Sequence, residues 1–107
     1  MTTVNKETYL YFNLEPKEEV TLNSILSSTD LSIDIIFDLV SIDTVNESLL
    51  DYLEEINEYI ITKGLCMVLV LKDAPLSLKL ESMNIVPSLT EAEDYLQMEQ
   101  IQRDLGV

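Results

Sequence analysis

Two short runs of apolar residues, 33–39 and 65–71, flank a stretch with clear helical periodicity, and this arrangement most restricts the possible folds. Each run has too many branched and aromatic residues in too few positions for a surface helix. Each suits a strand that is buried on both faces, as in parallel sheets. Because two parallel strands need a crossover connection, the intervening helix predicts a βαβ unit with right-handed connectivity.

The predicted helix covers roughly residues 46–62 and is amphipathic. Its apolar side chains share one side at helical spacing: Leu49, Leu50, Leu53, Ile56, Tyr59 and Ile60. Acidic side chains form a stripe on the other side: Glu47, Asp51, Glu54, Glu55 and Glu58. Thr44 and Glu47 have the spacing of a capping box, in which a hydroxyl and a carboxylate satisfy free amide groups of the first turn. Gly64 is placed to end the helix.

The remaining elements complete an α/β pattern. Further strands are predicted at 9–14 and 84–86, and further helices at 21–28, 76–82 and 91–105, the last introduced by Ser88. No repeat, linker or low-complexity segment interrupts this order. Residues 1–107 are therefore expected to form one domain, an α/β sandwich with a central, mostly parallel sheet of about four strands and helices packed on it.

The charge of the chain restricts its partners. Six basic and 20 acidic residues, with no histidine, give a net charge of −14 at neutral pH. Such a charge opposes nucleic acid and anionic lipid, because each phosphate contact needs a cation. The N-terminus lacks the pattern of a signal peptide, and no apolar run approaches membrane-spanning length. We expect a cytoplasmic protein that binds neither nucleic acid nor membrane.

The residues offer little for catalysis. No histidine is present to act as a base, and with only two glycines there is no phosphate-binding glycine loop. Cys66 lies in an apolar run and is interpreted as a small buried hydrophobe. Four aspartates suggest a metal or phosphoryl-acceptor site, with Asp38 and Asp43 the best pair: Asp30, Asp34, Asp38 and Asp43. Loop solvation and helix capping are the favoured roles, so we expect no enzyme, metal or cofactor.

The acidic stripe of the predicted helix has two interpretations. Exposed helix faces are generally charged, and carboxylates near a helix N-terminus are stabilised by the helix dipole. However, only Lys63 is close enough in sequence to offset five carboxylates, which favours a docking face for a basic partner. Both interpretations stay open, as does a homodimer formed through this face.

Several local strings, in this order and spacing, resemble the STAS domain of anti-sigma factor antagonists and sulfate-transporter tails. Residues 35–39 (IIFDL) resemble its buried strand, and residues 41–43 (SID) the approach to its Asp-Ser-Ser-Gly loop. Residues 44–46 (TVN) occupy the Ser-Ser-Gly positions. Residues 64–71 resemble the next strand, and residues 85–92 resemble the final strand and helix start. The resemblance covers about residues 9–105.

The resemblance implies a regulatory switch without catalysis. Antagonists of this family dock a loop and helix on an anti-sigma factor, often a serine kinase, and phosphorylation of the second serine breaks the contact. Here Val45 stands at that position without a hydroxyl, Thr44 lies one residue early, and Asn46 replaces the glycine. The chain would thus bind constitutively, use Thr44 as a displaced phosphosite, or keep the fold for another interaction.

We favour an atypical, non-phosphorylatable binding module that acts in transcription regulation. Its predicted contact surface joins the loop to the exposed helix face: Ser41, Asp43, Thr44, Val45, Asn46, Glu47, Asp51, Glu54 and Glu58. The predicted partner is a protein, an anti-sigma factor or a serine kinase. The alternatives are a nucleotide- or Mg²⁺-binding ligand sensor of STAS type and a receiver-like phosphoacceptor.

Overall fold

The computed structural model describes residues 2–6, 8–15, 32–42, 47–72 and 83–106. Its elements in chain order are β1 (Thr2–Asn5), β2 (Tyr9–Asn13), β3 (Asp34–Asp38), α1 (Glu47–Thr62), β4 (Met67–Val70), β5 (Asn84–Val86) and α2 (Leu89–Asp104). The helices predicted at 21–28 and 76–82 lie outside the described residues.

The strands form one mixed sheet in the order β1-β2-β3-β4-β5. β1 is antiparallel to β2, and the strands from β2 to β5 are all parallel to their neighbours. The predicted α/β class and the mostly parallel sheet are therefore confirmed. The prediction of about four strands missed β1, because a four-residue, largely polar segment has no apolar alternation by which to recognise it.

Alternate residues of the central strands face two different helices. On the α1 side, Leu10, Phe12, Ile35, Phe37, Met67 and Leu69 pack in one cluster with Leu49, Leu50, Leu53, Ile56 and Ile60 of the helix. On the other side, Tyr9, Ile36, Cys66, Val68 and Val70 pack with Ala92 and Leu96 of α2. Every residue of β3 and β4 is buried, as predicted for central parallel strands.

The C-terminal end of α1 and the N-terminal end of α2 follow their sequence signals. Gly64 has φ +74°, its amide donates to Ile61 O at 2.9 Å, and the Leu65 amide donates to Ile60 O at 3.1 Å. These are the two hydrogen bonds of a Schellman ending, so the prediction that Gly64 ends α1 is confirmed. Ser88 caps α2, where its hydroxyl accepts from the Glu91 amide at 3.2 Å.

The two helices differ in how they are attached to the sheet. Six side chains of α1 are buried along its length. Only Ala92 and Leu96 are buried in α2, so its apolar packing is smaller than that of α1 and polar contacts contribute a larger share of its attachment. Neither described helix is both long enough and apolar enough to cross a bilayer.

Candidate functional site

The predicted contact surface lies at the carboxyl end of β3 and along the exposed side of α1. After β3 the chain turns at Val40 and Ser41, and the Ile42 amide donates to Leu39 O at 3.0 Å. Ser41 is exposed. The predicted loop residues Asp43, Thr44, Val45 and Asn46 lie outside the described residues, so the loop and the capping box stay predictions.

The acidic residues of α1 lie on the side of the helix that faces away from the sheet. Glu47, Asp51 and Glu58 are exposed, while Glu54 is half-buried. Near the end of the helix, Lys63 Nζ lies 5.1 Å from the ring centroid of Tyr59, where it makes a cation–π contact. The predicted amphipathic pattern of α1 is therefore confirmed. Ser41 follows the carboxyl end of β3 and Glu47 begins α1, whereas Glu58 lies about three turns further along the helix.

A polar cluster that the sequence interpretation did not predict lies at the same edge of the sheet. Asp38, the last residue of β3, is buried, and its carboxylate accepts hydrogen bonds from the Tyr11 hydroxyl and from the Val40 amide, the latter at 2.9 Å. The Asn13 amide group donates to the Tyr11 hydroxyl at 3.2 Å. Asp38 therefore fixes the start of the turn that leads to Ser41.

The electrostatics of this cluster keep Tyr11 as a donor. Burial raises the pKa of the Tyr11 hydroxyl, and the Asp38 carboxylate adds to the rise although the hydrogen bond from Asn13 lowers it. All three side chains belong to the face of the sheet on which α2 packs, because Tyr11 pairs with Ile36 and Asn13 with Asp38 in the register. The sequence signal for this cluster was the recurrence of side chains with polar groups at alternate positions of β2.

We predict that Tyr11→Phe lowers the free energy of unfolding by about 1–2 kcal/mol, because it removes a donor from a buried carboxylate. Urea denaturation followed by circular dichroism measures this loss. Tyr52→Phe, which removes a hydroxyl from a half-buried tyrosine of α1, is the control and should change stability by less than about 0.5 kcal/mol. Equal losses in the two variants would show that the Tyr11–Asp38 contact has no special role.

At the opposite end of β3, Asp34 anchors the end of α2. The Asp34 side chain is only 1% exposed, and its Oδ2 lies 2.6 Å from Arg103 Nη2. Gln100 Nε2 donates to the same oxygen at 3.0 Å, and the Cys66 amide donates to Oδ1 at 2.8 Å. The hydrogen bond to Asp34 raises the pKa of Arg103. This buried ion pair joins α2 to the central strand.

The aspartates predicted as a cluster are thus separated. Asp34 and Asp38 occupy the two ends of β3 and have different partners, while Asp30 and Asp43 lie outside the described residues. Among the described residues, no three acidic, cysteine or histidine side chains lie close enough together to hold a metal ion. The aspartates that can be placed act in strand and helix attachment.

Two further titratable groups on the α2 side are held in their neutral forms. Tyr9 donates to Glu93 Oε2 of α2 at 2.8 Å, and burial together with Glu93 raises the pKa of its hydroxyl to about 12. Burial, with the carboxylates of Glu99 and Asp34, raises the pKa of the Cys66 thiol to about 12. The thiol is therefore poor as a nucleophile, which agrees with its interpretation as a buried hydrophobe.

The comparisons with known proteins give no family. No protein-family model matches the chain, and a search of the curated proteins gives no match.

Proposed function

We propose that this chain is a cytoplasmic, non-catalytic regulatory module that binds a protein partner in the manner of a STAS-like anti-sigma factor antagonist. The observation that supports it best is the exposed acidic side of α1, where Glu47, Asp51 and Glu58 lie away from the sheet along a helix that begins shortly after the turn at Ser41. The mostly parallel sheet with helices packed on it gives the α/β class that the proposal requires.

The arrangement suits recognition of a partner with a basic contact surface. Charges of one sign on an exposed helix attract a partner of opposite charge and accelerate its association. The resemblance implies an anti-sigma factor or a serine kinase as the class of partner. Because Val45 has no hydroxyl, the proposed binding is not released by phosphorylation at that position.

The proposal predicts that Asp51→Lys combined with Glu54→Lys lowers partner capture about tenfold or more, because two attractive charges become repulsive. The tagged protein is incubated with extract from its own cells, and captured proteins are quantified by mass spectrometry. The relevant partner is a protein that the unaltered chain captures and the double variant loses.

A matched control distinguishes the effect of this surface on capture from the effect of net charge. Asp51→Lys and Asp104→Lys each change the net charge equally, but Asp104 is an exposed residue at the end of α2. Capture should fall for Asp51→Lys and persist for Asp104→Lys. If every captured protein is retained by the double variant, or if both single variants lose the same proteins, the proposed surface is wrong.

A further inference from the structure

A second surface lies on the opposite side of the sheet from α1. A shallow, open groove of about 390 Å³ lies on α2 beside Val86 of the short strand β5. Its apolar lining includes Val86, Tyr95 and Met98, and its acidic lining includes Glu91, Asp94 and Glu99. On α2 these residues recur at spacings of three and four, so a single side of the helix faces the groove.

The base of the groove is fixed by the core of the domain. Val86 and Tyr95 pack against the apolar cluster between the sheet and α2. The Tyr95 hydroxyl donates to Asn84 Oδ1 at 2.8 Å, which holds the ring at the strand. The groove is therefore a preformed feature, since its apolar base is held by both a strand and a helix.

An exposed apolar stripe continues from the groove toward the end of α2. Met98 is 59% exposed, and it is followed by Ile101 at 48% and Leu105 at 72%. Their spacings of three and four place them along one side of the helix. Isolated exposed apolar residues are normal, but a continuous line beside a groove is typical of an interaction site.

We propose that this groove and stripe bind a basic peptide segment of another protein, with apolar side chains as anchors and lysine or arginine paired to the groove carboxylates. Charge complementarity favours this occupant, because three carboxylates surround the apolar lining on a chain of net charge −14. A second copy docked on the same groove would bring six like charges together. The site is independent of the proposed function of α1.

The test uses a fluorescein-labelled peptide in which leucines one helical turn apart are flanked by lysines. Its binding to the protein is measured by fluorescence anisotropy at two salt concentrations. We expect saturable binding that the double change Asp94→Asn with Glu99→Gln weakens about tenfold, since each exposed charge pair contributes modestly. Met98→Ser should also weaken binding, because it removes an anchor contact. A peptide with serine in place of leucine should bind more weakly than the original.

The matched control is Glu55→Gln with Asp104→Asn, which removes the same number of charges from exposed positions outside the groove. It should retain the affinity of the unaltered chain. No binding, or equal weakening in the two double variants, would overturn the proposal, because the attraction would then be absent or would reflect only net charge. A dimer in sedimentation analysis that Met98→Ser dissociates would identify a second copy as the occupant and overturn it as well.

Discussion

Replacing Arg103 with leucine is expected to lower the free energy of unfolding by about 2–3 kcal/mol and to loosen α2 from the sheet. Its partner Asp34 is almost fully buried, and breaking a buried ion pair from one side leaves a desolvated charge. This loss of stability is small for a broken buried ion pair, because the Arg103 side chain is 36% exposed and its charge is partly solvated. Gln100 and the Cys66 amide remain as donors to the carboxylate.

Two measurements check this expectation. Urea denaturation gives the loss of stability, and hydrogen exchange should show faster exchange of α2 amides than of β3 amides. Lys72→Leu, which removes one positive charge at an exposed position, is the matched control and should be nearly neutral. A loss below about 0.5 kcal/mol for Arg103→Leu would mean that the ion pair does not attach α2.

A second substitution shows whether the loss of stability in Arg103→Leu comes from the broken ion pair or from lost packing of the aliphatic part of the arginine side chain. If the buried charge causes the loss, Asp34→Asn combined with Arg103→Leu should be more stable than Arg103→Leu alone, because the uncompensated carboxylate is gone. If stem packing causes the loss, the second substitution should give no recovery.

The elements predicted from the sequence are those with a clear pattern of apolar residues, either at helical spacing or in a short continuous run. Helix α1 has six buried side chains at regular spacing and a glycine that ends it, so its bounds were predicted within one residue. β3 and β4 were predicted because short runs of branched residues suit strands buried on both faces. β1 has neither property, since its position depends on pairing with β2 rather than on its own pattern.

The polar contacts could not be predicted because they join residues far apart in the chain. The sequence placed Asp34 and Asp38 among the same four candidate site aspartates, but Asp34 pairs with Arg103 and Asp38 with Tyr11. Their separation along β3 follows from strand geometry, which places residues four apart about 13 Å from each other. The partners depend on the sheet register and on the path of α2 across the sheet, and neither can be read from local spacing.

Truncating a core side chain on the α1 side of the sheet should cost more stability than breaking the ion pair on the α2 side. Phe37→Ala is expected to lower the free energy of unfolding by about 3–5 kcal/mol, because it removes a large side chain from a closely packed core. Phe37 is fully buried between the sheet and α1, and its ring stacks on Phe12 with centroids 4.9 Å apart. Urea denaturation monitored by circular dichroism measures the change. The control Ile61→Ala truncates an apolar side chain of α1 that is 57% exposed, and it should cost less than about 1 kcal/mol.

A double-mutant cycle with Phe12→Ala isolates the stacked pair. The two rings should couple by about 0.5–1.5 kcal/mol beyond their separate burial, whereas Phe37 and Arg103, on opposite faces of the sheet, should give nearly additive losses. If the losses at Phe12 and Phe37 are additive, the stacked arrangement contributes nothing beyond the burial of the two rings. A loss for Phe37→Ala no larger than that for Arg103→Leu would contradict the premise that α1 is attached by apolar packing and α2 by polar contacts. That premise also predicts that α2 separates before α1, because α2 covers the smaller of the two apolar clusters of the sheet.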